Sequence, residues 1–159
     1  MRYVVRQKFF SLGDSFAIKD EYGNDVFIVR SQLLSFGKKL RIFDLQDNEL
    51  CYIEQKLFKF MPEYDLYIAG QHTANIKKKF AFLKHDFDIT SSYGDYQVEG
   101  DFWAHEFEIL KDNRLVARIS KEFFSFTDTY GVDIDDAQDQ ISNLALAIVV
   151  DMVCHDKDR

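Results

Sequence analysis

Residues 142–153, SNLALAIVVDMV, decide the fold of this chain because they form its most apolar stretch. Seven apolar residues run from Leu144 to Val150 before Asp151 interrupts them. At 100° per residue these side chains cover every direction around a helix axis, and a helix that is apolar on all sides lies in a membrane or inside a protein. A membrane span needs about 20 predominantly apolar residues, so the stretch predicts a buried helix.

The start of this helix is marked by an acidic segment, DIDDAQD at 133–139. Asp135 or Asp136 is the predicted N-cap, and Asp139 adds a favourable negative charge in the first turn. The predicted helix therefore runs from about 136 to 154. A central strand stays open as an alternative, because residues 148–150 are β-branched.

From about residue 3 to 134 the sequence has the pattern of short β-strands. Sixteen Phe and eight Tyr with a single Pro favour strands. Residues 38–44, KKLRIFD, alternate, with Leu40 and Ile42 on one face and Arg41 and Phe43 on the other. The predicted strands thus have one apolar face each.

Three segments predict hairpins around polar turns, namely 16–29, 42–53 and 107–119. Each is followed by an aromatic-rich segment that we interpret as a further strand: LLSF at 33–36, LFKF at 57–60 and FFSF at 123–126. The result is an internal repeat of a hairpin plus a strand. Strands at such short intervals must bury one face and hide their edges, so the pattern favours a closed or nearly closed antiparallel barrel with the apolar helix threaded through it.

Four segments carry a resemblance to a known family: GDFWAHEFEI at 100–109, KDNRLVARISKEFFSF at 111–126, DTYGVDI at 128–134 and NLALAIVVDMV at 143–153. The chain resembles a bacterial member of the LURP-one-related family, whose fold is similar to the tubby C-terminal domain and to phospholipid scramblases. The resemblance implies about twelve antiparallel strands around a C-terminal helix. It also implies possible phosphoinositide headgroup binding by basic side chains outside the barrel, as in tubby domains, but no catalytic motif.

Composition limits the class of protein and its partners. A net charge of -7 argues against nucleic-acid binding, which needs a cationic surface. Cys51 and Cys154 lack a CxxC neighbour, so neither a disulfide scaffold nor a zinc site is predicted. The first residues, with Arg2, Arg6 and Lys8, lack the apolar core of a signal peptide. We therefore expect one cytoplasmic domain over residues 1–159, without a transmembrane segment or cofactor.

Two basic clusters are the candidate ligand-binding residues: Lys77, Lys78 and Lys79 in one, Lys38, Lys39 and Arg41 in the other. Either could attract an anionic lipid headgroup or another phosphorylated ligand. The alternative is that the lysines occupy a turn or protect a strand edge. Because successive strand residues alternate faces, three adjacent lysines cannot all point at one ligand.

Weaker signals point to metal or catalytic chemistry. The acidic segment 133–139 lacks the glycine and glutamate of a calcium-binding EF-hand loop. The histidines, His72, His85, His105 and His155, are scattered. Two local pairings, His85 with Asp86 and Asp88, and His105 with Glu106, are the candidates for catalysis, but the second lacks the other histidine of a zinc protease motif.

The sequence therefore predicts a non-enzymatic cytoplasmic binding or scaffold module whose ligand it does not identify. If the ligand is small, an anionic lipid headgroup or another phosphorylated ligand on the outer barrel surface near Lys77, Lys78 and Lys79 is the favoured choice. Two alternatives remain. One is a protein–protein interaction module that uses a strand edge or an exposed aromatic patch. The other is an enzyme that uses one of the histidine pairings.

Overall fold

The structure, a computed structural model, describes residues 1–6, 15–34, 36–79, 86–101, 106–121 and 129–155. These residues form twelve strands and one helix: β1 (Arg2–Arg6), β2 (Ser15–Asp20), β3 (Asp25–Leu34), β4 (Gly37–Phe43), β5 (Glu49–Gln55), β6 (Glu63–Ile68), β7 (Gln71–Lys79), β8 (Asp86–Ser91), β9 (Tyr96–Asp101), β10 (Glu106–Lys111), β11 (Arg114–Ser120), β12 (Thr129–Ile134) and α1 (Gln140–His155).

The strands form a closed antiparallel barrel in which each strand pairs with its neighbours in the sequence. β1 pairs with β12 over five residues, for example Val4 with Gly131, and this pairing closes the sheet. Closing the sheet gives every described strand a neighbour on both sides, although β8 and β9 pair only at Ile89 and Tyr96. The predicted barrel and the strand number implied by the resemblance are both confirmed.

The helix α1 fills the barrel. The side chains of residues 144–150 are at most 1% exposed, and α1 packs against β5, β6, β7, β11 and β12. Leu40 and Ile42 point into this core whereas Arg41 and Phe43 do not, as the alternation predicted. The buried helix is therefore confirmed and the strand alternative is wrong. Among the described residues, no helix has the length and apolar character needed to cross a bilayer.

The predicted helix start is wrong by one short turn. Asp139 is the N-cap, because its Oδ1 accepts a hydrogen bond from the backbone N–H of Ser142 at 2.7 Å. Asp135 instead closes the preceding turn by accepting from the backbone N–H of Ala137 at 2.9 Å. The helix starts late because residues up to Ile134 stay in β12, where they pair with β1 and β11.

The three predicted hairpins are confirmed as β2–β3, β4–β5 and β10–β11. The first two have the same turn chemistry. Asp20 Oδ1 accepts from the backbone N–H groups of Tyr22 and Asn24, and Asp44 Oδ1 accepts in the same way from residues 46 and 48, all at 2.9 Å. These are Asx turns, in which a carboxylate satisfies backbone donors that the sheet cannot reach.

The strands predicted after these hairpins are not found where the structure describes them. LFKF at 57–60 lies in the connection between β5 and β6 rather than in a strand. LLSF at 33–36 is no separate strand, because 33 and 34 continue β3 and 36 lies in a turn. FFSF at 123–126 lies outside the described residues. The repeat is therefore real in its turns but not in the aromatic segments.

The barrel has two different ends, for which we use two names. The turn end is where α1 starts, and its connections are 21–24, 44–48, 69–70, 92–95, 112–113 and 135–139. The loop end is where α1 ends, and the structure describes residues 36, 56–62 and 121 of its connections.

Candidate functional site

Lys77, Lys78 and Lys79 are the last three residues of β7, at the loop end. Lys77 and Lys79 are exposed on the outer face of the barrel. Lys78 shares the inward face with buried Ile76 and is half-buried. It lies near enough to Cys154 of α1 to favour the thiolate electrostatically, although burial outweighs this effect and raises the pKa of Cys154 to about 12. A lysine beside the last turn of a helix also complements the negative end of its dipole.

The second predicted cluster lies elsewhere on the barrel. Lys38, Lys39 and Arg41 belong to β4, which β5 and β6 separate from β7. The Arg41 guanidinium is already engaged: Nε lies 2.8 Å from Glu49 Oε1, and the group stacks 4.4 Å above the Tyr52 ring. The structure therefore splits the six predicted residues into two surfaces.

Small-molecule pockets usually have volumes of about 300 to 1,000 Å³, and the groove beside β7 has a volume of about 440 Å³. It lies between the connection 56–62 and the ends of β7 and β8. Its lining is Lys59, Phe60, Met61, Glu63, Lys77, Lys78, Lys79 and Asp88. Four lysines against two carboxylates give this lining a formal charge of +2, on a chain with a net charge of -7.

The groove's two carboxylates lie on either side of Lys77. The strand register places Glu63 of β6 and Asp88 of β8 opposite Lys77. Glu63 forms its ion pair with Lys56, at 3.4 Å between Nζ and Oε2. In the part of the chain that the structure describes, no ion pair engages the four groove lysines. Their charges are thus available to an incoming anion.

The connection 56–62, which we call the aromatic loop, is anchored at both ends. The Lys56 N–H donates to the Glu63 carbonyl at 2.8 Å, and the Lys78 N–H donates to the Pro62 carbonyl at 3.0 Å. Between these anchors Phe58 has φ 58°, in the left-handed region that bulky residues rarely adopt. The Phe58 and Phe60 side chains are 100% and 92% exposed.

A charged network supports the base of the aromatic loop. Asp65 Oδ1 lies 2.8 Å from His72 Nε2 and accepts from Asn75 Nδ2 at 3.0 Å, and Lys56 Nζ lies 3.6 Å from Asp65 Oδ2. Burial alone would raise the pKa of Asp65, but the hydrogen bonds from Asn75 and His72 outweigh it, so the pKa of Asp65 is lowered. The ionised carboxylate thus helps to fix Lys56, the first residue of the loop.

The Asp65–His72 pair was not among the residues predicted from the sequence. The two residues are seven positions apart, and only the β6–β7 hairpin brings them face to face, with a register shift between Leu66 and Tyr67. His72 also packs edge-on against the Tyr67 ring, with centroids 5.3 Å apart. An Asp followed by a His across a hairpin would have been a detectable signal had the turn at 69–70 been recognised.

The other predicted candidates have different outcomes. His85 and His105 lie outside the described residues, as does the Asp86 side chain, so both histidine pairings stay predictions. Glu106 accepts from Ser120 Oγ at 2.7 Å and from the Lys121 N–H at 2.9 Å, which joins β10 to the end of β11. His155 is the last residue of α1.

The acidic segment at the turn end is occupied by structural contacts. Asp133 forms a two-contact ion pair with the Arg2 guanidinium at 2.6 and 3.0 Å, and Asp136 binds the amino group of Met1. Together with the turn at Asp135 and the cap at Asp139, these contacts account for all four carboxylates.

The two cysteines are free and buried. Burial raises the pKa of Cys51, like that of Cys154, to about 12. Both thiols are therefore protonated near neutral pH and are weak nucleophiles.

The connections at the two ends differ in composition. Those at the turn end contain eight acidic side chains and no Lys or Arg: Glu21, Asp44, Asp47, Asp95, Asp112, Asp135, Asp136 and Asp139. The described part of the loop-end connections contains Lys56, Lys59 and Lys121 and no acidic side chain. Among the described connections, the turn end therefore carries acid and the loop end carries lysine.

The phenylalanines show the same asymmetry. The described loop-end connections contain Phe36, Phe58 and Phe60, and the turn-end connections contain none. The turn-end connections have only Tyr22 and Tyr93 as aromatic residues.

A closed twelve-stranded antiparallel barrel filled by a C-terminal helix defines the class of protein. The LURP-one-related family model matches residues 1–151, and the chain belongs to that family. It is 32% identical over 154 residues to the uncharacterized protein YxjI of Bacillus subtilis (strain 168), with 97% of this chain and 94% of YxjI covered.

The fold is also similar to a solved X-ray structure, that of the Arabidopsis thaliana protein AT5G01750. The TM-score is 0.65 with 13% sequence identity, and the match covers 94% of this chain and 88% of the plant protein. At that identity the likeness shows a shared fold and nothing about a shared ligand.

Proposed function

We propose that this chain is a non-enzymatic binding module whose loop-end groove takes a ligand with a phosphate group. The observation that carries the proposal is the meeting of Lys59, Lys77, Lys78 and Lys79 in one groove without ion-pair partners among the described residues. The cytoplasmic location expected from the sequence stays a prediction.

Electrostatics favours an anion at this place. On a chain of net charge -7, a net positive lining concentrates the attraction in one groove, while repulsion elsewhere discourages non-specific anion binding. Lysine ammonium groups bind phosphate as mobile point charges with three donors each. Each lysine close to an anionic surface contributes about 1 kcal/mol.

The proposed site differs in its residues from the site predicted from the sequence. It leaves out Lys38, Lys39 and Arg41, because β5 and β6 lie between them and the groove. It adds Lys59 and Phe60, which the aromatic loop brings to the groove from a distant part of the sequence.

The proposal is tested by calorimetric titration with pyrophosphate, a small soluble phosphate compound. Wild-type protein should bind it with an affinity that falls as salt is added. K77E/K79E reverses two exposed lysines and should weaken binding by about tenfold or more, from roughly 1 kcal/mol for each lysine.

The matched control is K19E/R114E, which changes the formal charge equally on the exposed surface of β2 and β11, away from the groove. It should change the affinity by less than about threefold through long-range electrostatics alone. Absence of pyrophosphate binding to wild type, or equal losses in the two double variants, would contradict the proposal.

A further inference from the structure

The aromatic loop exposes more apolar surface than a soluble protein usually leaves in one short segment. Phe58 and Phe60 are almost fully exposed, and Leu57 beside them is also exposed. Single exposed apolar side chains are common, but contiguous ones mark an interaction surface. In the part of the chain that the structure describes, the core cluster does not include any of these three side chains.

The backbone holds these rings outward at a conformational cost. A left-handed φ at a phenylalanine is unfavourable because Cβ approaches the following carbonyl oxygen. Here it is maintained by the two anchors of the loop, the Lys56–Glu63 and Lys78–Pro62 hydrogen bonds. Strain of this kind at an exposed position is more typical of a recognition site than of a passive connection.

The neighbours of the two rings indicate what they contact. Lys59 lies between them in the sequence, and Phe60 lines the groove together with Lys77, Lys78 and Lys79. Aromatic rings next to flexible lysines match the interface of a membrane, where rings reach the headgroup level and ammonium groups contact lipid phosphates. A small soluble phosphate compound such as pyrophosphate has no apolar part that could contact the rings.

We propose that the ligand's phosphate belongs to a lipid, and that residues 57–60 insert into the interface of an anionic bilayer while the groove binds a headgroup. This inference rests on the phosphate-binding function proposed above and names the source of the phosphate. The bilayer is the occupant that the charges favour: the described loop-end connections carry Lys56, Lys59 and Lys121 and no acid, whereas the charged side chains of the turn-end connections are all acidic.

That charge distribution also orients the barrel. An anionic surface attracts the loop end and repels the turn end, so α1 points its C-terminal end at the membrane. The same orientation turns the exposed side chains of Phe36, Phe58 and Phe60 towards the bilayer. The protein would associate reversibly, because two rings and a few lysines give a far weaker attachment than a spanning helix.

The test is co-sedimentation with vesicles of phosphatidylcholine, with and without phosphatidic acid, combined with the pyrophosphate titration. Wild type should sediment with the anionic vesicles and not with the neutral ones. L57S/F58S should reduce partition onto anionic vesicles by about tenfold or more, because interfacial binding scales with apolar area inserted. It should leave the pyrophosphate affinity within about twofold of wild type, since neither residue lines the groove and the lysines are unchanged.

The matched control is Y22S/L45S, which removes two exposed apolar side chains at the turn end and should partition as wild type does. Thermal melting of each variant shows that it is folded. The K77E/K79E variant should lose both vesicle and pyrophosphate binding.

The outcomes separate the two proposals. Pyrophosphate binding without vesicle binding, or vesicle binding that L57S/F58S leaves unchanged, would overturn the membrane inference and leave the phosphate groove standing. A defined protein complex that depends on Leu57 and Phe58, without vesicle binding, would overturn it in favour of a protein partner. Absence of both pyrophosphate and vesicle binding would remove the groove and the membrane inference together.

Discussion

The connections at the two ends of the barrel join the same strands but differ in what their side chains contact. At the turn end, short connections place carboxylates where they satisfy backbone donors: Asp20 and Asp44 in Asx turns, Asp139 at the helix N-cap. At the loop end, the aromatic loop exposes two phenylalanines beside lysines without ion-pair partners among the described residues. Polar side chains at the turn end therefore stabilise the fold, whereas side chains at the loop end are available for binding.

The largest expected effect comes from the core that both ends share. Val149→Asp places a carboxylate where the native side chain is fully buried within the barrel, and a buried unpaired charge costs several kcal/mol. We expect this variant to be unfolded by far-UV circular dichroism. Leu45→Asp, at an exposed position of the turn end, is the control and should fold. A cooperatively folded Val149→Asp variant would mean that α1 is not enclosed.

The turn end should respond to loss of its helix cap. Asp139→Ala removes the carboxylate that accepts from the Ser142 N–H, and N-cap losses cost about 1 kcal/mol. Asp136→Ala removes only an exposed contact with the amino group of Met1, and exposed ion pairs contribute at most about 1 kcal/mol and often nothing. Urea midpoints of the two variants measure the difference. A larger decrease of the urea midpoint in Asp136→Ala than in Asp139→Ala would mean that Asp136 is the N-cap, as the sequence allowed.

The base of the aromatic loop should show a pH dependence. The pKa of Asp65 is lower in the folded than in the unfolded chain, so its stabilisation is complete above the unfolded pKa of about 4. It is lost as the pH falls through the lower folded value. We expect Asp65→Asn to be less stable than wild type at pH 6, with the gap narrowing below about pH 4. A gap in the urea midpoints that stays constant down to pH 2 would contradict this account of Asp65.

The smallest expected effect is that of Arg41→Ala on pyrophosphate affinity. Its guanidinium is held by Glu49 and Tyr52, and two strands separate it from the groove. We expect a change of less than about twofold, from long-range electrostatics alone. A loss as large as that of K77E/K79E would show that β4 and β7 serve one ligand.

Periodicity predicted much of the fold because burial acts on a regular pattern. Residues 144–150 are apolar in every helical direction, so an enclosing structure was required. Alternation at Leu40 and Ile42 identified an inward face without any knowledge of the partner strands. The number of strands came from the family resemblance, since the spacing of turns alone does not determine where a sheet closes.

The errors arose where contacts distant in sequence decide between equivalent local signals. Several aspartates could cap α1, and β12 pairing up to Ile134 excludes the earlier ones. LFKF at 57–60 has residues that are typical of a strand. The chain's single proline, Pro62, follows two residues later, and the Lys56–Glu63 hydrogen bond closes a loop there instead. A strand interpretation of a segment so close to a proline should have been weakened.

Of the residues in the candidate site, the sequence predicted only Lys77, Lys78 and Lys79. Alternation correctly set Lys78 on the opposite face from Lys77 and Lys79. The contributions of Lys59 and Phe60 depend on how the aromatic loop folds back towards β7, and the Asp65–His72 contact depends on a hairpin register with a bulge. Neither can be derived from spacing along the chain.

The most direct test of the central claim, that the loop end faces an anionic membrane, compares one label at the two ends. Both native thiols are buried and have pKa values of about 12, so a thiol-reactive, polarity-sensitive fluorophore should select a cysteine introduced by Phe58→Cys or Tyr22→Cys. On addition of phosphatidic acid vesicles, emission from position 58 should rise and shift to the blue, and emission from position 22 should not change. Equal responses at the two positions, or no response at position 58, would contradict the account.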